Sequence, residues 1–278
     1  MKLPVLFVGH GSPMNALENN EFSREWGRIG KELPRPDAIL CVSAHWLTRG
    51  SAVTAMEKPR TIHDFGGFPP ELYQMSYPAP GNPALAAHIR ELLASPGPAL
   101  TGLDAGKVEF EAGKVEVGLD QGWGLDHGTW SVLRRMFPKA DIPVLQLSID
   151  TDKPAAWHYS VAHRLKNLRE EGVLIIASGN IVHNLSLIAW THMDESGFGF
   201  EWALEFDAAI ADFIHSGEDE GIIHWENLGK AAKLAVPTTD HFLPLLYALG
   251  ARDPADKVRP FNAKAVAGSL TMTSYQWE

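Results

Sequence analysis

The sequence predicts an α/β fold with a largely parallel central sheet. Two observations predict it. Short apolar, β-branched runs alternate along the chain with longer amphipathic segments. Several of these runs are almost continuously apolar, as is typical of strands covered by helices on both faces. Because no Gly/Ser linker or change of composition divides the 278 residues, we expect one domain over residues 1–278.

The predicted strands come first. Nearly continuous apolar runs predict four strands near the centre of the sheet: Leu3–Val8, Ala38–Ser43, Pro143–Ile149 and Val173–Ala177. Towards the C-terminus, Gly268–Tyr275 alternates apolar and polar residues, which predicts a half-exposed edge strand.

Apolar residues at three-to-four spacing predict five helices: Glu21–Leu33, Pro83–Ala94, Lys153–Glu171, Trp202–His215 and His224–Ala235. The duplicated AGKVE in residues 105–118 predicts a hairpin. Between the helices lies a Gly-, Pro- and aromatic-rich segment, Glu57–Tyr77, which we call the aromatic loop. We interpret it as an ordered functional loop; the alternative is a loop that only plugs one end of the core.

Composition excludes several classes of protein. The formal net charge is −10 and no dense run of Lys or Arg occurs, so nucleic acid is not an expected partner. Leu3–Val8 is too short for a signal-peptide core, and no run of about 18 apolar residues exists, so we expect a cytoplasmic protein without a membrane segment. The single cysteine, Cys41, excludes an internal disulfide and a thiolate-rich zinc site.

Three of the 12 histidines follow predicted strands directly: His10, His45 and His183. Because the carboxyl ends of parallel strands meet at one edge of a sheet, these side chains can converge there. Gly9 and Gly11 flank His10 and allow the backbone to approach an ion or substrate closely. A lone histidine is more often structural, and this alternative stays open for each position.

Two further histidines extend this group. His241 follows Thr-Thr-Asp, which resembles an N-cap ahead of an apolar helix. Three or four imidazoles around one ion would suit zinc or ferrous iron. His127 lies between glycines and beside Asp126, so it is a candidate general acid or base. Alternatively, Asp126 caps a helix beginning at Gly128 and His127 only packs.

Other chemistry has little support. His63 on the aromatic loop is a candidate for substrate contact. Ser12 lacks the Gly-x-Ser-x-Gly setting of a nucleophile, and the chain contains no dinucleotide-binding or Walker A motif. We interpret the remaining histidines as structural or solvated: His88, His158, His163, His192, His215 and His224.

Eight blocks of sequence carry a resemblance to a known family: GHGSPMNALE (9–18), SAHW (43–46), TIHDFGGFPPELY (61–73), YPAPG (77–81), GLDHGTW (124–130), PVLQLSID (143–150), ASGNIVHN (177–184) and DHFLPLLYALG (240–250). In this order they resemble the class III extradiol ring-cleaving (LigB-like) dioxygenases, and within them the 4,5-DOPA extradiol dioxygenase group. The resemblance implies a three-layer α/β/α sandwich with a mostly parallel mixed sheet.

The resemblance also implies one divalent metal ion, Zn²⁺ or Fe²⁺, held by histidines at the positions of His10, His45, His183 and His241. Ring opening requires ferrous iron, because zinc has no accessible redox change. Protocatechuate-type relatives use two histidines and a glutamate, so Asp240 or His241 can be the third ligand, and we favour His241. In those relatives the histidine matching His183 is an acid–base catalyst rather than a ligand.

The expected reaction is extradiol cleavage of a small catechol substrate by dioxygen. His127 and His183 would move protons, while His63, Phe65, Phe68 and Tyr73 of the aromatic loop would cover the ring. Two alternatives remain: a metal chelatase, since Gly-His-Gly-Ser also occurs in small chelatases, and a hydrolase-like or non-enzymatic relative. We expect a monomer or small homo-oligomer; the natural substrate and native metal stay open.

Overall fold

The computed structural model describes residues 2–95, 113–193 and 195–278. The predicted hairpin at residues 105–118 lies largely outside the described residues, and its last two residues begin a strand. Ten strands are described, and in chain order they are β1 (Val5–Gly9), β2 (Ala38–Thr48), β3 (Ser51–Thr54), β4 (Val117–Asp120), β5 (Val144–Asp150), β6 (Val173–Gly179), β7 (Val258–Phe261), β8 (Ala265–Val266), β9 (Leu270–Thr271) and β10 (Ser274–Trp277).

Eight of these strands form one mixed sheet in the order β4-β3-β5-β2-β6-β1-β10-β7, and β8 pairs with β9 separately. The four predicted strands are the adjacent β5, β2, β6 and β1, which pair in parallel. Their prediction near the sheet centre is confirmed. In β1 and β6 the register runs from Val5 opposite Ile175 to Gly9 opposite Gly179, so both strands end at the same sheet edge.

Helices cover both faces of the sheet. The described helices are α1 (Glu21–Glu32), α2 (Pro70–Tyr73), α3 (Pro83–Ala94), α4 (His127–Met136), α5 (Ala155–Leu165), α6 (Glu201–Ser216), α7 (Asp219–Ile223), α8 (Lys230–Ala235) and α9 (Leu243–Ala251). Leu6 and Val8 of β1 pack in the core that includes α1 and α4. Val5 and Phe7 pack in the opposite core, with α3, α5, α6 and α9. The three-layer α/β/α sandwich is therefore confirmed.

Two predicted helices differ from those observed. The segment predicted over Lys153–Glu171 is α5 followed by a 3₁₀ turn at Lys166–Arg169. The helix predicted over His224–Ala235 is divided at Gly229, whose φ of 83° lies outside the helical region, into a 3₁₀ turn and α8.

The predicted N-cap ahead of the C-terminal apolar helix is wrong. Helix α9 begins at Leu243 with Phe242 at the N-cap position and no side-chain cap. The N–H groups of Phe242 and Leu243 donate to the backbone carbonyl of Thr239, and not to a capping side chain. The apolar helix itself is present, and all nine of its residues are buried.

The predicted half-exposed edge strand at Gly268–Tyr275 is also wrong. Strand β10 lies between β1 and β7, and all four of its residues are buried. Its polar side chains are hydrogen-bonded inside the protein: Ser274 Oγ accepts from the N–H of Gly9, and the Gln276 side chain bonds with Arg259 and Glu278. Alternating polarity therefore reflects internal hydrogen bonding here and not exposure.

No helix in the described ranges is long and apolar enough to cross a membrane.

A buried arginine joins distant parts of the chain. Arg169, at the end of the 3₁₀ turn after α5, has a fully buried side chain. Its guanidinium donates to the carbonyls of Leu3 at 2.7 Å and Ala251 at 3.1 Å, and to the Asp256 carboxylate at 2.6 Å. These bonds tie the start of β1 to the end of α9 and to the segment before β7.

We expect Arg169→Met to lower the free energy of unfolding by about 3–5 kcal/mol, because it leaves the buried Asp256 carboxylate without its main partner. Arg28→Met is the matched control: Arg28 forms exposed ion pairs with Glu25 and Glu32, and such pairs contribute about 0–1 kcal/mol. Urea denaturation measures both. Equal losses in the two variants would contradict a structural role for Arg169.

Candidate metal centre

Five histidines lie together at the carboxyl edge of the parallel strands. His10 directly follows β1, His45 lies near the end of β2, and His183 follows β6 by a short turn. His127 is the first residue of α4, and His241 precedes α9. The ring centroid of His10 lies 5.0 Å from the ring centroid of His45, 5.7 Å from that of His127 and 5.3 Å from that of His241. The predicted convergence of strand-end histidines is present.

A bulge and a glycine bring β2 and α4 close together. The register of β2 against β5 shifts between Val42 and Leu47, and His45 lies within this irregular part of the strand. A Cβ atom at Gly128 would lie 2.5 Å from Ser43 Oγ and 2.9 Å from His45 Cδ2. Only glycine therefore fits this position in the first turn of α4.

The glycines around His10 are needed for packing against the chain itself. A Cβ atom at Gly9 would lie 2.7 Å from the carbonyl carbon of Met272. Gly11 has a φ of +56°, a region that side chains disfavour. Close backbone approach was predicted at these positions, and the group approached is Met272.

The start of α4 is fixed by a buried carboxylate. Asp126 caps the helix by accepting a hydrogen bond from the N–H of Thr129. This cap was one of the two alternatives that the sequence left open. The oxygens of Asp126 also accept from Ser43 Oγ at 2.7 Å and Gln146 Nε2 at 2.6 Å. Burial raises the pKa of Asp126 above its usual value. These bonds lock α4, and so the backbone of His127, to β2 and β5.

The hydrogen bonds of His10 indicate its tautomer. Ser178 Oγ donates to the carbonyl of Gly128 at 2.6 Å, and it lies 3.0 Å from His10 Nδ1. The hydroxyl proton is thereby used, so Nδ1 of His10 is the donor and its Nε2 keeps a lone pair. That Nε2 lies 3.0 Å from His45 Nε2, and a shared proton or a cation is needed between two such nitrogens.

Asp64 is the residue that sequence reasoning missed. Its carboxylate accepts from the backbone N–H and from Nδ1 of His127, each at 2.9 Å, and lies 3.5 Å from His45 Nδ1. The one available signal was a carboxylate next to His63 in the aromatic loop. Burial alone would raise the pKa of Asp64, but the hydrogen bonds from His127 outweigh it and lower this pKa.

His241 has its own carboxylate partner. Its Nδ1 lies 2.6 Å from Asp240 Oδ2, which leaves Nε2 free to bind an ion. The ring of His183 stacks on that of His241, with centroids 3.5 Å apart and planes 6° from parallel. A ring nitrogen binds an ion within its own ring plane, so two stacked rings cannot both bind one ion well. Of the two, His241 also contacts His10 and His45.

Burial favours the neutral form of three of these rings, those of His10, His45 and His183. It lowers the pKa of His10 and of His45 well below the usual value, and nearby histidines lower both further. It lowers the pKa of His183 to about 3. Neutral imidazole is the form that binds metal ions.

The donor set fits a single divalent ion. The rings of His10, His45 and His241 form a nearly equilateral triangle with centroid distances of 5.0, 5.3 and 5.0 Å. Three imidazoles bound to one ion through Nε2 at about 2.0–2.1 Å have this kind of spacing. Among the described residues, the group whose possible ligand nitrogens all lie within 4.8 Å of one another is His10, His45 and His127, so His127 lies where a ligand could lie. Its ring is only 3.8 Å from that of His45.

The aromatic loop lies against this cluster through Phe65. The Phe65 ring meets that of His127 edge-on at 5.5 Å, and it packs on Phe68 at 5.3 Å and Tyr73 at 5.2 Å. His63 Nε2 lies 2.9 Å from the carbonyl oxygen of Met75, so this ring is bound within the loop itself. Tyr73 is 40% exposed. Of the four predicted substrate-contacting residues, only Phe65 has a ring contact with the cluster among the described residues.

Comparisons with known proteins identify the family of this chain. The LigB family model, described as the catalytic LigB subunit of aromatic ring-opening dioxygenase, matches residues 4–273. An Escherichia coli K12 protein named 4,5-DOPA dioxygenase extradiol is 47% identical, over 99% of this chain and 94% of that protein. A protein of the same name from Beta vulgaris is 35% identical over 98% and 95%.

A solved structure extends the match. The crystal structure of an uncharacterized protein from Escherichia coli K12 superposes with a TM-score of 0.80 and 41% identity, and it covers 99% of each chain. Sequence and structure thus agree over nearly the whole chain, and this protein belongs to the LigB family of aromatic ring-opening dioxygenases.

Proposed function

We propose that this protein is a metal-dependent extradiol dioxygenase that opens a catechol-type ring, of the 4,5-DOPA kind, with dioxygen. The observation that carries the proposal is the group of histidines at the strand ends: His10 Nε2 faces His45 Nε2 at 3.0 Å, and the Nδ1 atoms of His10, His127 and His241 each lie within hydrogen-bonding distance of an oxygen. The names of the relatives support the substrate class.

In this proposal His10, His45 and His241 hold the ion. Their triangular arrangement and the outer bonds of His10 and His241 to Ser178 and Asp240 support this set. His183, a candidate ligand from sequence, is assigned outside the set because its ring is stacked on His241. Such an ion would hold the catechol oxygens, and as Fe²⁺ it would supply the dioxygen activation that side chains cannot provide and Zn²⁺ lacks.

His127 is the proposed acid–base residue. Its Nδ1 donates to Asp64, so in the neutral ring its Nε2 has the lone pair that can accept a proton from a substrate hydroxyl. Its ring lies beside His45 and below Phe65, between the proposed ligands and the aromatic loop. His183 is a second proposed proton carrier, although burial lowers its pKa to about 3 and so disfavours its protonated form near neutral pH.

The aromatic loop is proposed to close over the substrate ring. Phe65 would pack directly against the ring, while Phe68 and Tyr73 support Phe65. His63, which is bonded to Met75, would shape the loop more than contact substrate. Together these side chains would exclude water from the reacting atoms.

The first test is the reaction itself. After anaerobic reconstitution with Fe²⁺, we expect oxygen uptake equal to substrate consumed, and a yellow semialdehyde, with DOPA, protocatechuate or simple catechol. The Zn²⁺-loaded protein should show neither, because zinc has no accessible redox change. Metal retention without oxygen uptake on any of these substrates would contradict the dioxygenase proposal and favour a relative with different chemistry.

The second test separates ligands from acid–base residues. We expect His10→Ala to lose bound metal on dialysis, whereas His127→Ala should keep it and lower kcat by roughly 10²–10⁴-fold. Metal content per chain and oxygen uptake measure the two effects. His88→Ala is the control, because His88 is an exposed residue paired with Glu171. Loss of metal in His127→Ala would show that His127 is a ligand.

The third test concerns the aromatic loop. We expect Phe65→Ala to raise KM for a catechol by about 2–10-fold, because a packed aromatic pair contributes about 0.5–1.5 kcal/mol. Steady-state oxygen uptake measures KM. Phe198→Ala should leave KM unchanged, since Phe198 stacks on the exposed His192. An unchanged KM in Phe65→Ala would remove Phe65 from the substrate site.

A further inference from the structure

We infer that Asp64 is a positioning residue through which the aromatic loop fixes the tautomer of His127, with the proton on Nδ1 and a free lone pair on Nε2. The inference rests on the proposed acid–base role of His127. If so, the aromatic loop that covers the site also determines which ring nitrogen of His127 carries the proton.

The geometry leaves one arrangement of protons. Oδ1 of Asp64 accepts from the backbone N–H of His127, and Oδ2 lies 2.9 Å from the Nδ1 atom of the same residue. A backbone N–H can only donate, and an ionised carboxylate can only accept. Nδ1 of His127 must therefore carry a proton, and in the neutral ring the free lone pair is then on Nε2.

The carboxylate is held in place by the loop on either side of it. The carbonyl of Ile62 accepts a hydrogen bond from Trp130 Nε1 at 2.8 Å, so the loop is attached to α4 both before and at Asp64. On the other side, Phe65 packs on the His127 ring at 5.5 Å. His127 and Trp130 lie three residues apart on one helix face, and the loop is attached along that face.

An amide at position 64 would reverse the tautomer. In Asp64→Asn the side chain keeps its size, and its single oxygen is required by the backbone N–H of His127. The NH₂ group then faces Nδ1, where two donors would meet. The ring avoids this conflict by moving its proton to Nε2, so that Nδ1 accepts. His127 would then have no lone pair on the side of the substrate.

Nitrogen spectroscopy reports this directly. In the Zn²⁺-loaded protein labelled with ¹⁵N-histidine, long-range ¹H–¹⁵N spectra distinguish the two tautomers, and His127→Ala identifies the His127 signals by their loss. We expect the Nδ1–H tautomer in the wild type and the Nε2–H tautomer in Asp64→Asn. Glu71→Gln is the matched control, because it removes an exposed carboxylate from the same loop and should keep the wild-type tautomer.

Kinetics provide the second measurement. In the Fe²⁺-loaded enzyme we expect Asp64→Asn to lower kcat by about 10–100-fold, as is typical when the partner of an active-site histidine is removed, with KM changed less than about 3-fold. Metal content should stay at the wild-type level, because the Asp64 carboxylate lies 3.5 Å from Nδ1 of the proposed ligand His45, too far for a strong hydrogen bond. In a His127→Ala background, Asp64→Asn should cause no further loss, because Asp64 acts through His127.

Several outcomes would overturn the inference. These are an Nδ1–H tautomer in Asp64→Asn, an equal effect of Glu71→Gln, loss of metal in Asp64→Asn, or a further loss of kcat in the His127→Ala background. If the wild type turns over no catechol, the proposed function fails. The tautomer spectra require no substrate, so they still decide whether Asp64 positions His127.

Discussion

The candidate centre depends on hydrogen bonds to the outer nitrogens of buried histidines. Each imidazole has one N–H donor, and the group that accepts it decides which nitrogen keeps the lone pair. Ser178 serves His10, Asp64 serves His127 and Asp240 serves His241. These three acceptors come from a strand, a loop and the residue before His241. The rings can offer their other nitrogens as electron-pair donors only when all three segments are in place.

The parallel sheet brings these segments together. Strands β1 and β6 end side by side, so His10 and Ser178 meet across one pair of strands. Glycines at this edge allow backbone to pack where a side chain would collide, as at Gly9 against Met272 and at Gly128 against His45. The buried Asp126 then fixes α4 to two strands at once. The precision of the site therefore comes from the rigid elements, and the aromatic loop adds the final acceptor.

The sequence predicted what depends on local pattern. Continuous apolar runs identified the four central strands, and the position of His10 after β1 identified the sheet edge. Local pattern could not predict contacts between segments that are distant in the sequence. Asp64 and His127 are 63 residues apart, and no local signal pairs them. The C-terminal strand was predicted at the sheet edge for a related reason. The N–H of Gly9, which donates to the Ser274 hydroxyl, belongs to β1 and is distant in the sequence. Periodicity reports polarity, and only the tertiary structure shows whether a polar side chain is satisfied by water or by protein.

The stacked pair His183 and His241 shows how two similar histidines acquire different properties. Both lie at the same crowded edge of the sheet, but within the part of the chain that the structure describes only His241 has a carboxylate hydrogen-bonded to its ring. That carboxylate makes the opposite nitrogen a better donor, as expected for a ligand. For His183 burial is the largest effect, the charge of Asp240 offsets it only in part, and the pKa falls to about 3. A neutral ring next to a ligand ring can stack without charge repulsion if an ion binds His241. The stack thus gives the ring of His241 a packed neighbour on one face.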